Sequence, residues 1–101
     1  MLKPTAIIVN TARGGVIDEA AMVKALDNGT LAGVGLDVYE NEPEIHPGLV
    51  ANEKVTLLPH MGTWTVETQT DMERWCVENV RTALTQGVLK SRVPEQNGEP
   101  Y

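Results

Sequence analysis

Three residues able to do proton and anion chemistry, Arg13, Glu42 and His60, each follow a short apolar run in this 101-residue sequence. Ala6-Ile7-Ile8-Val9 leads into Asn10-Thr11-Ala12-Arg13-Gly14. Val34-Gly35-Leu36-Asp37-Val38 leads towards Glu42-Pro43, and Val55-Thr56-Leu57-Leu58-Pro59 delivers His60-Met61-Gly62-Thr63. If the three runs are adjacent parallel strands, their carboxyl ends meet at one rim, where open α/β sheets bind ligands. There a guanidinium can hold an anion, an imidazole can exchange a proton near neutral pH, and a carboxylate can orient that imidazole. Taken singly, each has a plainer reading. Arg13 is then a solvated cation, Glu42 part of an acidic loop with Glu40 and Glu44, His60 a capping histidine, and Asp37 a residue that holds its own turn.

The elements that must position these residues can be read from pattern. Ala6 to Val9 is a continuous run of branched apolar residues, which predicts an internal strand covered on both faces. Asp18 as N-cap, Glu19 in the first turn, and Met22, Ala25 and Leu26 at helical spacing before Gly29 predict a helix over 19–28. Leu31 to Val38 reads as a second strand, so the strand-helix-strand order predicts a right-handed parallel crossover. Tyr39 to Lys54 has no usable period and is expected to be an irregular connection of the long kind that often carries function. Val55 to Leu58 forms a third strand, stopped by Pro59. Thr65 caps a long helix with Glu67 in its first turn, an inner stripe of Met72, Trp75, Cys76, Asn79, Val80, Ala83 and Leu84, and a stop at Gly87. Trp75, Met72 and Cys76 are assigned to packing, and His46 to the loop surface. Three parallel strands with only two helices leave sheet surface uncovered, which predicts a fragment of a larger fold.

Composition narrows the classes. Hydrophobic residues at 42% and charged residues at 22% fit a globular chain. No run approaches the ~20 apolar residues that span a bilayer, and the Met1-Leu2-Lys3-Pro4 start lacks a secretory signal, so a cytoplasmic location is expected and no membrane partner. The lone Cys76 excludes an internal disulfide. With only His46 and His60 beside it, no metal-ligand spacing appears, so no metal is expected. A net charge of -6 argues against a nucleic-acid partner.

Asn10-Thr11-Ala12-Arg13-Gly14-Gly15, then Gly35-Leu36-Asp37-Val38-Tyr39 with Glu42-Pro43, then Pro59-His60-Met61-Gly62-Thr63, resemble in order and spacing the D-isomer-specific 2-hydroxyacid dehydrogenases. Within that family the sequence is most similar to the glyoxylate and hydroxypyruvate reductase branch. The resemblance implies an α/β fold, a partial Rossmann-like parallel sheet of about three strands with a long C-terminal helix. Residues 1–90 would be the C-terminal half of a dinucleotide-binding domain plus a crossover helix, and residues 91–101 a loosely ordered tail. It further implies an oxidoreductase using NAD or NADP on a small anionic 2-hydroxy or 2-keto acid such as glyoxylate or hydroxypyruvate, and a homodimer in the full-length context. By the same resemblance Arg13 would grip the substrate carboxylate and C2 oxygen, His60 would exchange the C2 hydroxyl proton, and Glu42 would orient His60. Thr11, Ala12, Arg13, Asp37, His60, Gly62 and Thr63 would line the cofactor, with Asp37 beside the nicotinamide carboxamide.

The sequence also departs from the family pattern. It has no Gly-x-Gly-x-x-Gly run; Gly33 and Gly35 supply only the first two glycines of that spacing and fall inside a predicted strand. The pyrophosphate cradle and most of the substrate domain are therefore expected to be missing, as in an excised piece of a longer protein. Trp64 stands where many relatives place a small residue. A competing expectation is a catalytically inactive remnant, or a dinucleotide-sensing interaction module like the family's corepressors.

Overall fold

The computed structural model describes residues 2–94. The chain falls into two compact units, the first ending at Gly62 and the second beginning at Thr63. In the first unit the order is β1 (Ile7–Asn10), a 3₁₀ turn (Gly14–Val16), α1 (Glu19–Asp27), β2 (Gly33–Leu36), α2 (Pro47–Val50) and β3 (Val55–Leu57). The strands form one parallel sheet in the order β1-β2-β3, with Ile7 opposite Gly33 and Val34 opposite Val55. All three therefore end at the same rim.

Register decides which side chains share a face, because successive residues of a strand point to opposite sides. Ile8, Val34, Leu36, Val55 and Leu57 lie on the face that joins the core with Met22 and Leu26 of α1 and Leu49 of α2. Ile7 and Val9 lie on the other face, where they are 68% and 70% exposed. This corrects one expectation. Among the described residues the first strand lies at the edge of the sheet, and its run is apolar on both sides although only one side is covered within this chain.

Local chemistry sets the element ends. The Asp18 carboxylate accepts the Ala21 amide hydrogen at 2.8 Å, capping α1 where expected. Gly29, at φ 73°, turns the chain after it. Two short elements were not anticipated. The Gly14-Gly15 pair hid the 3₁₀ turn, and the expected irregular connection contains α2, with Pro47 at its first turn and His46 as N-cap. His46 is half-buried, its Nδ1 accepting from the Gly48 amide at 3.1 Å, so it is not merely a loop surface residue.

In the second unit α3 spans Val66–Gln86, between the Thr65 cap, which accepts from Thr68 N at 3.1 Å, and Gly87 in the left-handed region at φ 66°. Its expected inner stripe is uncovered within this unit: Met72, Trp75, Cys76, Val80 and Leu84 are exposed, so the packing assigned to Met72, Trp75 and Cys76 is not made here. The residues after α3 fasten to it through polar groups instead. Trp75 Nε1 donates to Ser91 Oγ at 3.0 Å, and Asn79 Oδ1 accepts from Ser91 N at 3.0 Å. Of the tail read as loosely ordered, residues 95–101 lie outside the described residues. Among the described residues no helix is long and apolar enough to cross a membrane.

Arg81 and Lys90 both bind the Glu78 carboxylate, at 2.6 and 2.9 Å. The Arg81 hydrogen bond, then that of Lys90, pulls its pKa down to about 2 from the ordinary 4.5. A carboxyl whose folded value is depressed stabilises the fold above its unfolded value and loses that contribution as pH falls through the folded one. The melting-temperature gap between wild type and Glu78→Gln should therefore close as the pH is lowered from 4.5 to about 2. A gap that stays constant over that window would contradict the assignment.

Candidate active site

At the end of β1 the chain is shaped by Asn10, which is buried. Its Oδ1 accepts from Ala12 N at 3.1 Å and its Nδ2 donates to Arg13 O at 2.9 Å, closing a turn with its own side chain. Gly14 then lies flat on the Tyr39–Glu40 peptide: a Cβ there would sit 1.9 Å from Tyr39 C and 2.4 Å from Glu40 N. Only glycine permits that approach, and it fixes the Arg13 turn against the segment leading to Glu42. The Arg13 side chain is exposed, with Nη1 donating to Ala12 O at 2.6 Å. Among the described residues no ion pair joins Arg13 to Glu42 or His60.

At the end of β2 the carboxylate of Glu42 is held from two directions. Its Oε1 accepts from Tyr39 N at 3.0 Å, and its Oε2 lies 2.7 Å from His60 Nδ1. The His60 hydrogen bond, and after it the Tyr39 amide, keeps the Glu42 carboxyl below the ordinary glutamate value; the Arg13 charge acts in the same direction. The stretch between Tyr39 and Glu42 is itself tied to the start of α1. Glu40 N donates to the buried Glu19 carboxylate at 2.8 Å, and Glu19 N donates back to Glu40 Oε2 at 3.4 Å.

At the end of β3, His60 adopts φ 53°, a left-handed backbone uncommon outside glycine. Such a conformation persists only when the surroundings impose it, and here they do. Asp37, 3% exposed, accepts from Met61 N at 2.7 Å through one carboxylate oxygen and from Gly62 N at 2.8 Å through the other. Upstream, Leu58 N donates to Leu36 O at 2.8 Å and Leu58 O accepts from the Tyr39 hydroxyl at 2.6 Å. The His60 side chain is 47% exposed. With Nδ1 committed to Glu42, Nε2 is the ring nitrogen able to meet a ligand. A cavity of about 330 Å³, lined by Tyr39, Glu42, Pro43, Ile45, Pro59 and His60, adjoins the pair.

The structure thus joins Glu42 to His60 and puts Arg13 at the end of the outer strand, on the same rim but not in contact with them. Thr11 and Ala12 are exposed on the Asn10 turn, and Asp37 and Gly62 form the anchor beneath His60. Thr63 belongs to the second unit, where its carbonyl accepts from Thr65 N at 2.9 Å and Gln69 Nε2 at 3.2 Å. Sequence reasoning missed the contacts that Asn10, Gly14, Glu19 and Tyr39 make with these segments. Only Asn10, a turn-forming side chain at the end of an apolar run, carried a local signal.

Parallel strands joined by a helical crossover, with polar side chains gathered at their carboxyl ends, define a Rossmann-like α/β unit. Residues 1–62 match the family model for the D-isomer specific 2-hydroxyacid dehydrogenase NAD binding domain. The chain belongs to that family. It is 56% identical over 95 residues to 4-methyl-2-oxopentanoate reductase A of Aspergillus oryzae, covering 94% of this chain and 29% of that protein. The crystal structure of a glyoxylate reductase from Paecilomyes thermophila superposes with a TM-score of 0.88 at 55% identity, over 94% of this chain and 29% of that one. The NADPH-dependent glyoxylate/hydroxypyruvate reductase of Sinorhizobium meliloti, crystallised with NADP and malonate, gives a TM-score of 0.86 at 41% identity, over 92% of this chain and 29% of that one. The chain therefore spans about 29% of the length of these relatives.

The contrast between adjacent glycines tests how the rim is built. Gly14→Ala should destabilise the chain by about 1–3 kcal/mol or more, since a methyl group must wedge two backbones apart. Gly15→Ala, with nothing within 4 Å of the new methyl, should stay within about 0.5 kcal/mol of wild type. Urea unfolding checks both, and similar losses from the two would refute the close approach.

Proposed function

We propose that this chain is part of an NAD(P)-dependent oxidoreductase that interconverts a small D-2-hydroxy acid and its 2-keto acid, with glyoxylate or hydroxypyruvate as the substrate class. The observation that carries the reading is the 2.7 Å contact between His60 Nδ1 and Glu42 Oε2 at the rim of a parallel sheet. Glu42 holds the ring so that Nε2 faces outward and stabilises the imidazolium that forms when Nε2 takes a proton. In the oxidative direction Nε2 accepts the C2 hydroxyl proton, and in the reductive direction it returns that proton to the C2 oxygen. The exposed Arg13 guanidinium binds the substrate carboxylate through its planar fork.

The residues at this rim fit the nicotinamide end of a dinucleotide: a hydroxyl, a cation and an imidazole stand at the carboxyl ends of parallel strands. A bound NAD(P) would supply the hydride acceptor or donor. Thr11, Ala12, Arg13, His60 and Gly62 would line it. Asp37 anchors the His60 loop, and each of its oxygens keeps a second lone pair with which to meet the carboxamide. Within this proposal residues 1–90 are the C-terminal half of the dinucleotide-binding domain with its crossover helix, the full-length protein is a cytoplasmic homodimer, and the isolated chain turns over little substrate.

A chimera tests the reading, with residues 2–94 replacing the aligned segment of a full-length glyoxylate reductase. It should oxidise NADH or NADPH in the presence of glyoxylate or hydroxypyruvate. His60→Ala in that chimera should lower kcat by about 10²–10⁴-fold with dinucleotide affinity retained. Unaltered turnover in the variant would end the role assigned to His60, and a folded chimera without turnover would favour a non-catalytic interaction module.

A further inference from the structure

One buried polar group in the site has no part in the chemistry described above: the hydroxyl of Tyr39. The residue is 6% exposed, and its ring belongs to the core cluster with Met22 and Leu49. The hydroxyl donates to Leu58 O at 2.6 Å and lies 3.3 Å from Leu36 O, whose stronger donor is Leu58 N at 2.8 Å. The backbone amide of the same residue donates to Glu42 Oε1 at 3.0 Å. Tyr39 therefore holds both halves of the acid-imidazole pair, the acid through its main chain and the strand that delivers the imidazole through its side chain. The hold matters at that point because Pro59, between Leu58 and His60, has no N–H with which to fasten the chain. Burial raises the phenol pKa above its ordinary value of 10.0, so the hydroxyl remains a donor across neutral pH.

We propose that Tyr39 is a positioning residue, whose hydroxyl sets the exit of β3 so that His60 Nδ1 meets the carboxylate held by the Tyr39 amide. Its use in catalysis rests on the function proposed above. The geometry can be read without turnover, so failure of the one is distinguishable from failure of the other. The charged and polar groups that face the Glu42 carboxylate are His60, the Tyr39 amide and Arg13, and removing the hydroxyl alters none of them chemically. Phenylalanine at this position would fill the same core volume and leave the Leu58 carbonyl without its donor.

The test follows the Glu42 side-chain carboxyl by ¹³C NMR as the 101-residue chain is titrated. In wild type it should titrate below the ordinary 4.5. In Tyr39→Phe the midpoint should rise measurably towards 4.5, with the dispersion of the amide spectrum retained. In a His60→Gln background the same substitution should move it little, because the two changes act through one contact. 4-Aminophenylalanine at position 39, which restores a donor, should return the midpoint towards wild type. An unchanged midpoint in Tyr39→Phe, an equal shift in the His60→Gln background, or general loss of the fold on removing the hydroxyl would each overturn the positioning role.

Discussion

Asp37 ties together all three strand ends, through its main chain and its carboxylate. Its backbone N–H donates to Asn10 O at the end of β1, the residue itself follows β2, and its side chain accepts from Met61 N and Gly62 N after β3. A carboxylate this deeply buried would cost several kcal/mol without partners, and two amide donors offset that cost only if the loop takes the path that brings them there. The path includes the left-handed backbone at His60. Gly62 belongs to the same constraint, since a Cβ there would stand 3.0 Å from Asp37 Oδ2. The placement of the imidazole is thus set by a buried charge and a missing side chain, not by contacts of the imidazole alone.

Around that anchor the site is assembled from paired supports. Tyr39 braces the acid and the β3 exit, Gly14 seats the Arg13 turn on the Tyr39–Glu40 peptide, and the Glu19–Glu40 exchange ties the intervening loop to α1. The three chemical residues differ in freedom as a result. Glu42 and His60 are bound to each other, while Arg13 has a fixed backbone and an exposed side chain. Under the function proposed above, this would combine a fixed proton carrier with an adaptable grip on the substrate carboxylate.

Much of this could be read from the sequence, and the rest could not, for identifiable reasons. The caps at Asp18 and Thr65, the stop at Gly87 and the three strands are local signals that survive into the fold, as does the gathering of Glu42 and His60 at strand ends. The Glu19–Glu40 exchange spans 21 residues and the Tyr39–Leu58 bond 19, so neither leaves a periodic trace. The run from Ala6 to Val9 announces two apolar faces but cannot say which is covered, and the stripe of α3 likewise announces a buried face that its own unit does not bury. His46 and Asp37 were legible as residue types and not as partners. One caps α2 and the other reaches across to Gly62.

The pairing of Glu42 with His60 is read most directly from the protonation of one ring. Long-range ¹H–¹⁵N NMR of His60 at a pH where the imidazole is neutral reports which nitrogen carries the hydrogen. A ring that donates from Nδ1 to the Glu42 carboxylate must show Nδ1 protonated and Nε2 bare, ready to accept a proton at the rim. A ring with Nε2 protonated and Nδ1 bare would contradict the pairing and, with it, the proton route built on it.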